Sequence, residues 1–150
     1  MRAVLQRVSE ASITIDNEVY TSIKYGFLIL LGIEDRDTSE DINWLAGKIA
    51  RLRVFNDSKG IPNLSLEKVD GELLVVSQFT LHASTKKGNR PSYIRASKPE
   101  FAVPLYCKFI EVLEKECNKE IKSGIFGADM KINLINDGPV TIIIDTKNKE

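Results

Sequence analysis

The chain has 150 residues with 21 basic and 21 acidic side chains, so its net charge at pH 7 is zero. This length suits one domain spanning residues 1–150, and 43% hydrophobic residues can supply a buried core. The longest apolar run, Phe27 to Leu31, is too short to span a bilayer, and the first residues do not resemble a signal peptide. The two cysteines, Cys107 and Cys117, are too few for a disulfide framework. We therefore expect a cytoplasmic protein without a membrane segment.

The first part of the chain predicts β-structure. Apolar alternation predicts strands at Ala3–Val8 and Ser12–Ile15, and a strand at Glu18–Ile23 follows a turn at 16–17. The continuous apolar run Gly26–Ile33 is typical of a strand that is covered on both faces. These segments predict a sheet near the start of the chain.

Two helices are predicted from apolar stripes and capping signals. Thr38 and Asp41 occupy capping-box positions before the first helix, and Ser97 and Glu100 occupy them before the second. Pro104 falls inside the second pattern and implies a kink or a later helix start. The stripe of the first helix consists of Ile42, Leu45, Ala46, Ile49 and Leu52. The expected buried stripe of the second consists of Phe101, Leu105, Phe109, Val112 and Leu113.

Further strands are expected after each helix. Leu73–Leu81 predicts a central strand after a turn-rich stretch at 56–70. Met130–Ile135 and Val140–Asp145 predict two strands separated by residues 136–139. This order favours an α+β (mixed α/β) fold, a two-layer domain with two main helices packed on a curved sheet. The sheet is expected to be mostly antiparallel or mixed and to form a barrel-like core.

The charges are unevenly distributed along the chain. No acidic residue lies between Glu72 and Glu100, and that stretch contains five basic residues, a local charge of +5. A basic region on a neutral protein suits a phosphate contact. An ordinary solvated, lysine-rich loop would have the same composition, so charge alone leaves both interpretations open.

Common catalytic motifs are missing from the sequence. The single histidine, His82, is not paired with a nucleophile by any motif, and no Gly-x-Ser-x-Gly elbow, phosphate-binding glycine loop or metal-ligand cluster is found. We therefore expect no metal and no cofactor.

Polar residues instead end the most hydrophobic predicted strand. Strand alternation puts Ser77, Phe79 and Leu81 on one face and Gln78, Thr80 and His82 on the other. Buried polar groups without partners cost about 1–3 kcal/mol each. They could bond neighbouring backbone at the strand end, or they could form a polar pocket with main-chain N–H groups that face a substrate.

The second candidate feature is the dipeptide Gly138-Pro139. Proline at the third position of Asp137-Gly138-Pro139-Val140 is disfavoured in a type I turn and required, as cis, in a type VI turn. Since only about 5–6% of X–Pro bonds in folded proteins are cis, the turn context raises this expectation without deciding it.

Five segments together resemble one family, the D-aminoacyl-tRNA deacylases. The segments are Arg2–Val8, Ser77–Leu81, Lys87–Ser92, Phe126–Met130 and Asn136–Thr141. The resemblance runs from Met1 to about Asp145. It implies an enzyme that hydrolyses the ester between a D-amino acid, or mischarged glycine, and the 3′-terminal adenosine of tRNA. It also implies a homodimer that binds the acceptor end of aminoacyl-tRNA.

The resemblance assigns the catalytic residues Ser77, Gln78, Phe79 and Thr80. Ser77, Phe79 and Thr80 would line the scissile ester, partly through backbone N–H groups, while Gln78 would maintain the geometry of the pocket. Thr80 could act as a nucleophile, or the 2′-OH of the adenosine could help to activate water. We favour the second, because no motif supplies a partner that would activate Thr80.

The resemblance also implies a chiral screen. Gly138 and Pro139 would form a cis peptide that reaches into the active site of the other subunit, where their carbonyls would bind the amino group of the substrate. They would leave no room for an L side chain, so discrimination would work by exclusion. Pocket support is expected from Arg7, Ala102 and Met130. RNA contacts that do not read sequence are expected from Lys86, Lys87, Arg90 and Arg95.

Two other functions stay open on the residues alone. One is a generic esterase or amidase that uses Thr80 or Ser77 covalently. The other is a non-catalytic RNA- or protein-binding module. The predicted polar pocket argues against a pure binding module, which needs an exposed surface.

Overall fold

A computed structural model describes residues 1–150, which form a mixed sheet, a small hairpin and two helices. In chain order the strands are β1 (Arg2–Ile15), β2 (Glu18–Ile23), β3 (Gly26–Gly32), β4 (Arg53–Asn56), β5 (Pro62–Ser65), β6 (Glu72–Ser77), β7 (Lys122–Ser123) and β8 (Lys131–Asp145). The helices are α1 (Ser39–Ala50) and α2 (Pro99–Cys117), and short 3₁₀ turns lie at Glu67–Val69 and Phe79–His82. No helix is both long enough and apolar enough to cross a membrane.

Strand β1 is the centre of the sheet. One of its edges pairs with β8 from Arg2 to Thr14, and its other edge is shared by β3 and β2, all antiparallel. Strand β3 then pairs in parallel with β6, and β6 pairs in parallel with β7, while β4 and β5 form a separate hairpin. The sheet is therefore mixed and, with two helices on it, the predicted α+β class is confirmed.

Both faces of the sheet carry apolar clusters. The larger cluster lies between the sheet and the helices and includes Phe27, Ile29 and Leu31 of β3. The smaller cluster lies on the opposite face and includes Leu28 of β3 and Val76 of β6. The apolar run of β3 thus contributes side chains to the apolar clusters on both faces of the sheet, as its sequence predicted.

The two predicted capping boxes have different outcomes. The Thr38 N–H donates to Asp41 Oδ2 at 2.8 Å, so the start predicted for α1 is confirmed. The capping box predicted at Ser97 and Glu100 is wrong, because α2 begins at Pro99 after Lys98 and no side chain caps it. Proline at the first helical position supplies a suitable backbone angle without a cap.

The buried face of α2 is also displaced from the prediction at its start. Phe101 was expected in the core but is 66% exposed. The buried residues of α2 are Ala102, Tyr106, Phe109 and Leu113. These residues recur every three or four positions and so share one face of the helix, and Phe101 lies off that face.

Two strands are longer than predicted. Strand β1 runs through Arg2–Ile15 without interruption, because β8 pairs with it on both sides of the expected gap. The predicted turn at 136–139 is instead a bulge within β8: Gln6 pairs with Thr141 and Val8 pairs with Asn136. The bulged strand has three more residues here than its partner, and we call residues Asp137–Pro139 the Gly-Pro bulge.

Candidate active site

The site is built where β6 ends. Ser77 is the last paired residue of β6, and the Gln78 N–H donates to Leu31 O at 2.8 Å. Its partner β3 ends at Gly32, so the ladder cannot continue and the chain turns into the 3₁₀ segment Phe79–His82. A Cβ at Gly32 would lie 3.0 Å from Gln78 O, so glycine lets the turn pack against β3.

This geometry corrects the predicted strand Leu73–Leu81. Phe79, Thr80 and Leu81 do not alternate across a sheet, since a 3₁₀ turn has three residues per turn. Gln78 Nε2 donates to Thr80 Oγ1 at 2.6 Å, so the two side chains satisfy each other locally. His82 is buried, and its Nε2 has no hydrogen-bond partner.

A cavity of about 300 Å³ opens beside this strand end. One wall consists of Ser77, Gln78 and Phe79, and α2 contributes Ala102. The opposite wall is the segment from Phe126 to Met130. The structure thus brings together five of the predicted site residues: Ser77, Gln78, Phe79, Ala102 and Met130.

Thr80 does not line this cavity. It lines a neighbouring open groove of about 790 Å³, together with Arg2 and Trp44. Arg2 donates to Leu81 O at 2.7 Å and to Asp145 Oδ2 at 2.7 Å, which ties the 3₁₀ turn to β8. Burial by itself would raise the pKa of Asp145, but hydrogen bonds from Arg2 and from the backbone outweigh it and lower that pKa.

Several cavity residues were not predicted as site residues. Phe126, Gly127, Ala128 and Asp129 line it, although they were noted only as part of a resembling segment. Ser97 was interpreted as a helix cap, but its hydroxyl oxygen lies in the cavity wall, buried and without a hydrogen-bond partner. The glycines at 124 and 127, which favour a turn, are a local sequence signal for this wall.

The back of the cavity is fixed by an aromatic contact. Tyr106 and Phe126 pack edge to face with ring centroids 5.7 Å apart. Tyr106 Oη also donates to Val75 O at 2.9 Å, and burial raises the pKa of this phenol. Tyr106 therefore joins α2, β6 and the Phe126 wall through one side chain.

The Gly-Pro bulge is held from inside by Arg7. The buried Arg7 side chain approaches Asp137 with Nε at 3.2 Å from the backbone O and at 3.1 Å from Oδ2. Its Nη1 donates to Val54 O at 2.5 Å and to Asn56 Oδ1 at 3.3 Å. A Cβ at Gly138, where φ is +120°, would lie 2.7 Å from Arg7 Nη2, so this position requires glycine.

The peptide bond between Gly138 and Pro139 is cis, and both residues are exposed. Neither residue lines the cavity of its own chain. The bulge is part of β8 and lies beside Arg7 of the neighbouring strand β1. Ser77 is part of β6 and pairs with Leu31 of β3. Four residues along the strands and three strand spacings separate them, about 20 Å along the sheet. A single copy does not place the bulge over its own cavity.

The basic loop (Ala83–Lys98) begins directly after the 3₁₀ turn. Its cations Lys86, Lys87, Arg90, Arg95 and Lys98 are all exposed, and none of them forms a salt bridge. Mutual hydrogen bonds between the backbones of Ser84 and Ser92, at 2.8 and 2.9 Å, close the tip of the loop. No group of three or more His, Cys, Asp or Glu side chains is arranged to hold a metal ion.

The cavity is concave and mostly apolar, with a few polar groups at the strand end, which is the general form of a small-ligand pocket. Residues 4–145 match the family described as D-Tyr-tRNA(Tyr) deacylase, and the chain belongs to this family. Proteins named D-aminoacyl-tRNA deacylase from Flavobacterium johnsoniae and Flavobacterium psychrophilum are 60% and 63% identical to it over 150 residues. These alignments cover all of this chain and all of each relative. The predicted family resemblance is confirmed.

Two solved structures share the fold. One, described as c-Myc DNA Unwinding Element Binding Protein, has a TM-score of 0.90 and 41% identity, and the match covers 97% of this chain and 98% of that one. The other, described as a probable eukaryotic D-amino acid tRNA deacylase, has a TM-score of 0.84 and 18% identity over 95% and 97% of the two chains. At 18% identity the second match supports the fold alone.

Proposed function

We propose that the chain hydrolyses the ester of D-aminoacyl-tRNA and releases free tRNA and the D-amino acid. The observation that carries this proposal is the cavity walled by Ser77, Gln78 and Phe79 in a chain about 60% identical to proteins named D-aminoacyl-tRNA deacylase. Its volume of about 300 Å³ is at the small end of ligand pockets and suits one terminal group of a larger substrate.

Backbone donors support catalysis of an already activated ester. Phe79 lines the cavity, and its N–H begins the 3₁₀ turn, where no earlier carbonyl of the turn accepts it. The Leu81 and Ala83 N–H groups, by contrast, donate to Gln78 O and Thr80 O. Donors aimed at a developing oxyanion contribute about 2.7–4 kcal/mol each in other hydrolases. Water assisted by the 2′-OH of the adenosine would then be the nucleophile.

Thr80 is poorly placed to be that nucleophile. Its Oγ1 accepts a hydrogen bond from Gln78, and no base contacts it. An unactivated hydroxyl is a weak nucleophile. The covalent esterase that remained open on the residues is therefore the less favoured mechanism.

The active form proposed is a homodimer. Val4, Leu30 and Ile143 form one apolar row across β1, β3 and β8, and Ile143 is 67% exposed. A second copy packed on this face would remove the row from water. A twofold axis midway between the cavity and the Gly-Pro bulge would then carry the bulge of one copy over the cavity of the other.

In that arrangement the bulge would act as the chiral screen. Carbonyls of Gly138 and Pro139 would bind the amino group of the substrate and occupy the space that an L side chain needs. The contacts of Arg7 hold the bulge in place and so support a rigid screen. Glycyl-tRNA, which has no side chain, would also be hydrolysed.

The basic loop would hold phosphates of the acceptor end. Its unpaired cations are free to neutralise phosphate, and such contacts position RNA without reading its sequence. Lys86, Lys87, Arg90 and Arg95 are the residues proposed for this role.

The first test is hydrolysis of matched D- and L-tyrosyl-tRNA by the purified chain without added metal or nucleotide. We expect release of D-tyrosine and survival of the L-ester. Equal release of both would refute the chiral screen, and release of neither would refute the deacylase. Tight tRNA binding without turnover would favour the binding module instead.

The second test asks whether this cavity takes the ester. Ala128 lines the cavity, whereas Ile125 lies in the same segment outside it and is partly exposed. Ala128→Phe should raise KM for D-tyrosyl-tRNA about tenfold or more by overfilling the cavity. Ile125→Phe is the matched control, and equal effects of the two would point to a different site.

A further inference from the structure

Two half-exposed aromatic rings lie where the cavity meets the basic loop. Phe79 is 55% exposed and Tyr93 is 41% exposed, although aromatic rings of this size are usually more deeply buried. Their centroids are 5.1 Å apart and their planes are inclined by 74°. Phe79 also lines the cavity, so the pair continues the cavity wall outward.

Tyr93 is presented by a fixed backbone. Ser92 on one side exchanges two hydrogen bonds with Ser84, and the Ala96 N–H donates to Tyr93 O at 2.9 Å. The Ser97 N–H then donates to Ile33 O at 2.9 Å, which attaches the end of the loop to the sheet. The ring therefore has a defined position beside the cavity, which lowers the entropy cost of binding a ligand to it.

The surroundings of the pair favour a single-stranded nucleic acid as its ligand. No acidic residue lies between Glu72 and Glu100, and none of the five cations in that stretch forms a salt bridge. Exposed aromatic rings among unpaired cations are the combination by which proteins bind single strands: bases stack and phosphates are neutralised. A second copy that packed its own basic loop against this one would meet like charge, which opposes association.

We propose that Phe79 and Tyr93 form a stacking platform for a nucleobase of the single-stranded 3′ end of tRNA. This inference rests on the proposed deacylase function. With the terminal aminoacyl-adenosine in the cavity, the nucleotide before it leaves along the wall that Phe79 continues. The platform takes that base, while the basic loop neutralises the phosphates next to it. Any base can stack, so the site adds affinity without selecting a sequence.

The experiment compares two substrates that differ only in the nucleotides before the terminal one. These are D-tyrosyl-tRNA and 3′-O-D-tyrosyl-adenosine, each assayed with the wild-type chain, Tyr93→Ala and Tyr93→Phe. Loss of the ring should raise the ratio of the two KM values, tRNA over adenosine ester, by about 5- to 150-fold with little change in kcat. Tyr93→Phe keeps the ring and should restore the wild-type ratio.

Tyr20→Ala is the matched control, because Tyr20 is an exposed tyrosine on β2, outside the basic loop. An unchanged KM ratio in Tyr93→Ala would overturn the platform. So would a change of solution mass on Tyr93→Ala, since it would identify the ring as a contact between copies. If the wild-type chain hydrolysed neither substrate, the proposed function would fail, and weaker binding of uncharged tRNA to Tyr93→Ala would still test the platform by itself.

Discussion

Replacing Arg7 by methionine tests whether the Gly-Pro bulge is held by one buried side chain. Methionine keeps an unbranched apolar chain in place of the arginine stem, but it is shorter and donates no hydrogen bond. The change would leave Val54 O and Asp137 O without their present donor. An acceptor left unsatisfied costs about 1–3 kcal/mol. Part of this loss is offset, because the variant no longer has to bury a charged guanidinium. We expect the free energy of unfolding to fall by about 2–4 kcal/mol.

Urea unfolding at one fixed protein concentration measures this loss, since dimerisation would make stability depend on concentration. Arg53→Met is the matched control, because exposed Arg53 also donates to a backbone carbonyl, that of Asn63. Its loss should stay within about 0.5 kcal/mol. If both variants lost the same free energy, the reasoning about the buried contacts would be refuted.

Arg7→Met should also change the stereoselectivity of hydrolysis more than the rate of D-tyrosyl-tRNA hydrolysis. Once the bulge is no longer fixed, L-tyrosyl-tRNA should be hydrolysed faster relative to D-tyrosyl-tRNA. Asp137→Asn separates the two parts of the contact, since it keeps the backbone carbonyl and removes only the partly exposed carboxylate. It should cost no more than about 1 kcal/mol. An unchanged D/L ratio in Arg7→Met would show that Arg7 does not support the screen.

Three further predictions concern the nucleophile, the acid stability and the assembly. Thr80→Ala should keep kcat within about tenfold of wild type, whereas loss of a true nucleophile costs on the order of 10⁶-fold; a trapped acyl-enzyme would contradict us. Burial alone would raise the pKa of Asp41, but hydrogen bonds from Lys147, Thr146 and Thr38 outweigh it and hold that pKa well below 3.8. Because the pKa of Asp41 is depressed in the folded state, the ionised carboxylate stabilises the fold above about pH 4, and this stabilisation is lost as the pH falls below about 4. Below about pH 4 the urea midpoint of the wild type should therefore drop more steeply with pH than that of Asp41→Asn. Ile143→Asp should give monomers by light scattering and abolish hydrolysis, and an active monomer would refute assembly through this face.

Local patterns in the sequence predicted the features that a segment's own residues determine. The capping box at Thr38 and Asp41 and the apolar run of β3 both appear as expected. The end of the central strand did not follow from its own residues, because β6 stops where its partner β3 stops at Gly32. Strand length here is set by a segment more than forty residues earlier, which a local pattern does not contain.

The candidate site was likewise predicted in part from the sequence, and the rest depends on how distant segments pack together. The resemblance identified the wall from Ser77 to Phe79, and the structure places Ala102 and Met130 on the same cavity. Thr80 was assigned to that set, but the 3₁₀ turn directs it to the neighbouring groove. The role of Ser97 was missed, because its position before a helix predicted a cap and only the packed structure shows its hydroxyl in the cavity wall.

The order of strands around β1 has a consequence for how the chain reaches this structure during synthesis. Strand β1 acquires its full-length neighbour, β8, only after about 130 residues more have been made, so the most extensive pairing in the molecule is also among its most distant in sequence. Until then one edge of a fourteen-residue strand stays open to other chains. Nascent chains halted before residue 131 should therefore aggregate, and the protein should depend on chaperones that shield such edges until translation ends.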